Sequence, residues 1–135
     1  MSVSFSILVV DDSTVNRLLV AATLRRDGYR ILEAEDGGSG LDMIARENPD
    51  LVILDFMMPE MDGAEMMRRL RARSGSSTPR VLLMTALDAA ESAIKARELG
   101  ADAYLAKPYP PLELRVRVKE LLAAARAHPA ADANA

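Results

Sequence analysis

The chain has 135 residues, a hydrophobic fraction of 50% and a net charge of -3. This is enough apolar sequence for one buried core and too little length for a second folded domain. A mildly acidic balance argues against a broad phosphate-binding surface, and hence against direct nucleic-acid binding. The absence of cysteine removes disulfides, thiolate catalysis and sulfur-ligated metals. No apolar run reaches the roughly 18 residues that span a bilayer, and Met1 to Phe5 lacks the features of a secretory signal. The expected location is therefore the cytoplasm, away from the membrane.

In chain order, Phe5 to Val10 reads as a first strand, and Asp11-Asp12-Ser13 as a loop into a helix from Thr14 to Asp27, with Ser13 as N-cap and Gly28 as stop. Arg30 to Glu35 alternates as a second strand. Gly38 to Asn48 carries Leu41 and Ile44 on one side of a helix that Pro49 ends. A buried strand, Asp50 to Asp55, leads through Pro59 and Gly63 to a helix from Ala64 to Arg73, and Ser74 to Pro79 reads as a flexible connection. Arg80 to Thr85 is a fourth strand, Ala89 to Leu99 a helix stopped by Gly100, and Ala103 to Ala106 a short fifth strand. A last helix, Pro111 to Ala127, spaces Leu114, Val118, Leu121, Leu122 and Ala125 along one apolar face. The expected division is a domain over residues 1–126 and a disordered tail or linker start over 127–135.

Five βα units predict a doubly wound α/β sandwich with a five-stranded parallel sheet in the order 2-1-3-4-5. Parallel strands bring their C-terminal ends to one edge, where such sheets bind ligands. Asp11 and Asp12 end the first strand, Asp55 the third and Thr85 the fourth, and Lys107 follows the fifth. Taken singly, each acid is an ordinary turn residue or helix cap. Together, three carboxylates would repel one another unless some stay protonated or a cation sits between them. Magnesium suits the site, since it binds through one or two carboxylates and keeps waters that phosphoryl oxygens can replace. The only histidine, His128, falls in the tail and is given no role. Asp55 can act as a nucleophile toward phosphorus, with Thr85 as hydroxyl donor and Lys107 as added positive charge.

The residues that carry this chemistry also carry a resemblance. The segments Ile7-Leu8-Val9-Val10-Asp11-Asp12-Ser13, Asp55-Phe56-Met57-Met58-Pro59-Glu60-Met61-Asp62-Gly63, Thr85-Ala86 and Gly100-Ala101-Asp102-Ala103-Tyr104-Leu105-Ala106-Lys107-Pro108 resemble the receiver domain of two-component response regulators, from about Phe5 to Ala124. The resemblance implies a flavodoxin-like three-layer sandwich. Asp55 would be the phospho-acceptor and Asp11 and Asp12 the magnesium pair, with the backbone carbonyl of Met57 as a further ligand. Thr85 and Lys107 would bind the phosphoryl group, Tyr104 would be the switch aromatic, and the Lys107–Pro108 bond would be cis. The donor would be a sensor histidine kinase or a histidine phosphotransfer protein. The outer surface of the fourth helix, fifth strand and fifth helix would meet partners and allow a homodimer.

The expected function is thus a signalling domain, not an enzyme in its own right, that catalyses only its own phosphorylation and a slow dephosphorylation. Met57 and Leu87 flank the expected phosphoryl position, and neither can hold an attacking water. No organic cofactor is expected. The alternative is a magnesium-dependent phosphatase with an aspartate nucleophile, which fits less well because Met57 stands where such enzymes place a second aspartate. Ala103 stands where winged-helix regulators carry an acidic residue, which weakens the case for their mode of dimerisation. Of Met57, Met58, Met61, Met66 and Met67, either Met66 or Met67 is expected in the core and the rest along a loop; Gly37 to Gly40 read as a turn and helix start, and Arg68, Arg69, Arg71 and Arg73 as a solvated face.

Overall fold

A computed structural model describes residues 4–56, 63–73 and 78–127. Ten elements follow in order: β1 (Ser6–Val10), α1 (Thr14–Arg25), β2 (Arg30–Ala34), α2 (Gly37–Glu47), β3 (Leu51–Asp55), α3 (Gly63–Ala72), β4 (Arg80–Thr85), α4 (Ala89–Leu99), β5 (Ala103–Ala106) and α5 (Pro111–Ala127). The strands form one parallel sheet in the order β2-β1-β3-β4-β5. The chain order and topology are those expected from the sequence.

The period-two alternation of strands sorts the apolar residues into two layers. Ile7, Val9, Leu51, Ile53, Leu82 and Met84 face α1 and α5, where they meet Val20, Leu24, Leu114, Val118 and Leu122. Leu8, Val10, Val52, Leu54, Val81 and Leu83 face the other way, onto Ile44 of α2, Met66, Met67 and Leu70 of α3, and Ala96 of α4. β3 is buried at every residue, as a central parallel strand should be. Both Met66 and Met67 are core residues.

Helix boundaries differ from the sequence expectation by small amounts with identifiable causes. α1 ends at Arg25, two residues early, because the N–H groups of Asp27 and Gly28 turn back to the carbonyls of Leu24 and Arg25. Gly28 then takes φ +87°, a conformation that favours glycine. α2 starts at Gly37, capped by Asp36, whose carboxylate accepts from the Ser39 N–H at 2.7 Å; that bond holds the Asp36 carboxyl below its usual range. Its end is set by Asn48 in the left-handed region, with Pro49 after it. Ser13 caps α1, and Gly100 stops α4 at φ +79°, both as expected. The connection over residues 74–77 and the tail from His128 lie outside the described residues.

Candidate functional site

The C-terminal ends of β1 and β3 lie side by side, since Val10 registers with Leu54. This places Asp11, Asp12 and Asp55 together, each offering a carboxylate oxygen within 4.8 Å of the others. Asp11 and Asp55 are buried, whereas Asp12 is exposed. The Asp11 carboxylate accepts the Ser13 N–H at 2.9 Å, which fixes its rotamer at the start of α1. Three charged oxygens this close repel one another, and an all-oxygen set with one solvent-facing member suits a hard cation with water in its shell. These residues could hold a metal ion.

Lys107 reaches the same place from the end of β5. Its Nζ lies 3.7 Å from Asp55 Oδ1, and its backbone N–H donates to the Thr85 carbonyl at 2.7 Å. The peptide bond that follows it, to Pro108, is cis. Thr85 ends β4 and is buried, with its hydroxyl oxygen accepting the Leu87 N–H at 2.9 Å. Tyr104 is half-buried, opposite Leu83 in register, and packs against the layer that faces α2, α3 and α4. Met57, expected to offer a carbonyl, lies outside the described residues.

Sequence reasoning passed over two residues near this edge. Arg17 donates a hydrogen bond to the backbone carbonyl of Asp11. Tyr109 lies beside Asp11 in a crevice of about 420 Å³ between α1 and the start of α5, which Val9, Leu19, Asp55 and Lys107 also line. Burial first, and the charge of Asp11 second, push the Tyr109 phenol above its usual range. The only sequence signal for Tyr109 is its place two residues past Lys107. The arginine run on α3 is exposed, as expected, but Arg71 also crosses to the end of α4, bonding the Gly100 carbonyl and lying 3.9 Å from Asp102.

Residues 7–119 match the response regulator receiver domain family. The chain belongs to that family. The response regulator MprA of Mycobacterium bovis is 40% identical over 132 residues, 98% of this chain and 56% of that protein. MprA of Mycolicibacterium vanbaalenii is 42% identical over 116 residues, 86% of this chain and 49% of that protein. The receiver chain therefore spans about half the length of these relatives. Among solved structures, a putative response regulator from Chloroflexus aurantiacus is 35% identical, with a TM-score of 0.83 over 90% of this chain and 99% of that one. The chemotaxis protein CheY4 of Vibrio cholerae is 29% identical, with a TM-score of 0.80 over 88% of this chain and 99% of that one. No helix among the described residues of this receiver domain is long and apolar enough to cross a membrane.

Proposed function

We propose that this receiver domain accepts a phosphoryl group on Asp55 in a magnesium-dependent reaction, from a histidine kinase or histidine phosphotransfer protein, and that the modification switches a partner-binding face. The observation that carries the reading is the cluster itself: a buried carboxylate, Asp55, with two carboxylates within 4.8 Å and an ammonium at 3.7 Å. A carboxylate oxygen of Asp55 attacks phosphorus and the donor's P–N bond breaks. The imidazole leaves and an acyl phosphate remains. No general base is needed, because the attacking group is already ionised.

Asp11 and Asp12, with Asp55 and the carbonyl of Met57, would hold the magnesium ion. When bound, that ion neutralises charge on the phosphoryl oxygens. Lys107 follows the group from Asp55 and adds a charge-assisted hydrogen bond to it. Thr85 exchanges its hydroxyl from the local turn to a phosphoryl oxygen, and Tyr104, on the next strand, moves inward as the threonine shifts. Charge-assisted bonds are worth roughly 1.5–3 kcal/mol each, against about 5.5 kcal/mol to reverse a 1:99 population, so two bonds near the top of that range or three near its middle suffice.

Exposed apolar side chains support two docking surfaces. Val15, Leu18 and Leu19 stand on α1 beside the crevice and suit the donor, while Ile94 on α4 with Leu112 and Val116 on α5 suit an output partner or a second copy. Leu87 offers no acceptor for an attacking water, which favours slow loss of the phosphoryl group. The domain over residues 1–126 acts in the cytoplasm, with residues 127–135 as tail or linker, and it binds neither membrane nor nucleic acid directly.

Time-resolved release of phosphate from a small phosphodonor in magnesium tests the reading. One equivalent taken up by the protein and then a slow phase is the expected course. Continuous rapid turnover would identify a phosphatase instead, and uptake by an Asp55→Asn variant would exclude both.

A further inference from the structure

We propose that Arg17 is a positioning residue for the acidic pair: its guanidinium fixes the peptide that joins Asp11 to Asp12, so that both carboxylates face the ion they would share with Asp55. The inference rests on the metal-dependent reading above. Arg17 lies near the start of α1, with its side chain only 13% exposed, which is unusual for a charged residue on a surface helix. One nitrogen, Nη1, donates to the Asp11 carbonyl at 2.7 Å, and Nε donates to Glu33 Oε1 at 3.2 Å. Glu33 is itself anchored: it sits opposite Val9 in the β1–β2 register and pairs with Arg25 at 3.3 Å through its other oxygen. The Asp11 N–H donates to the Ala34 carbonyl at 3.1 Å. Both peptides flanking Asp11 are therefore tied to β2, one directly and one through Arg17.

The mechanical consequence follows from where the strain acts. Carboxylates within 4.8 Å push apart, and Asp12, exposed at the edge, has room to swing outward. Where the backbone takes up that swing, the Asp11–Asp12 peptide rotates and carries with it the carbonyl that Arg17 holds. Arg17 meets the acidic pair through a backbone carbonyl and not through a carboxylate, so the contribution assigned to it is geometric. A lysine at the same place keeps the charge and one donor but lacks the fork that reaches the carbonyl and Glu33 at once.

Calorimetric titration of MgCl2 into the wild type and the Arg17→Met, Arg17→Lys and Glu33→Gln variants tests this, with phosphorylation rates measured against magnesium concentration and melting followed in EDTA. Loss of a group that orients a metal ligand costs about 10- to 100-fold in affinity. Arg17→Met should therefore weaken magnesium binding about tenfold or more and raise the half-saturating magnesium for phosphorylation by the same factor, with the plateau rate nearly intact. Arg17→Lys should fall between it and the wild type, and Glu33→Gln should stay closer to the wild type than Arg17→Met does. Arg17→Met with wild-type magnesium affinity would overturn the role of Arg17, as would a fallen plateau at unchanged affinity. If Arg17→Met does not fold, Arg17→Lys decides, and wild-type affinity in that variant overturns the proposal. A wild type that binds no magnesium would overturn the metal-dependent reading itself.

Discussion

Replacing Asp55 by asparagine removes the charge at the centre of the cluster while keeping its shape, and it should make the metal-free protein more stable. Asp55 and Asp11 are both buried, and their oxygens lie within 4.8 Å. At an effective dielectric of about 20 this repulsion is about 3.5 kcal/mol. Asp12, also within 4.8 Å, adds a second repulsion that its exposure weakens. Against these stands Lys107 at 3.7 Å, an attraction of about 4.5 kcal/mol in the same medium, reduced in its turn because that side chain is 30% exposed. Screening brings the Lys107 attraction roughly level with the Asp11 repulsion, so the residual strain is the Asp12 repulsion, about 1 kcal/mol in a water-like dielectric, and a change of that size moves the melting temperature of a domain this large by roughly 3–5 °C. Differential scanning calorimetry in EDTA should show Asp55→Asn melting higher than the wild type. Saturating magnesium should close or reverse the gap, because an ion that binds only the folded state stabilises the wild type by mass action. An asparagine variant that melts at or below the wild type in EDTA would refute the electrostatic account of the site.

Two further perturbations probe the scaffold that holds the cluster. A Cβ added at Gly63 would lie 2.7 Å from the Phe56 Cα and 3.0 Å from its carbonyl oxygen, both backbone atoms. Gly63→Ala should therefore cost about 1–3 kcal/mol in urea unfolding, and a cost near zero would show that the chain beside Asp55 yields easily. Asp27, just past α1, accepts two hydrogen bonds from Arg115 of α5 at 2.7 and 2.9 Å, which hold its carboxyl below the usual range. A lowered folded-state value means that this contribution is present above the ordinary carboxylate value and is lost as pH falls through the lowered one. Urea midpoints measured downward from about pH 4 should fall less steeply for Asp27→Asn than for the wild type; parallel curves would show the pair to be inert.

The sheet order and the carboxylate cluster were legible because both follow from strand ends. Apolar runs that close on Asp11, Asp55 and Thr85 specify parallel strands, and parallel strands bring those ends together. The cap at Asp36 was hidden because Asp36-Gly37-Gly38 reads as a turn, and the end of α1 because Arg26 and Asp27 are polar residues that a helix or a turn accepts equally. Arg17 was hidden for a different reason. Along the chain it is one more charged residue on an amphipathic helix, and its partners, the Asp11 carbonyl and Glu33, come from a backbone atom and a neighbouring strand. Tyr109 likewise acquires its neighbour Asp11 only once β5 and β1 share a sheet edge.

The central claim, that Asp55 carries the phosphoryl group, is tested most directly by mapping the adduct. The protein is incubated with acetyl phosphate and magnesium, and its peptides are read by mass spectrometry after the acyl phosphate is trapped by reduction. A single adduct on Asp55, absent in EDTA, is the result predicted here. An adduct on any other residue, or none at all with magnesium bound, would contradict it.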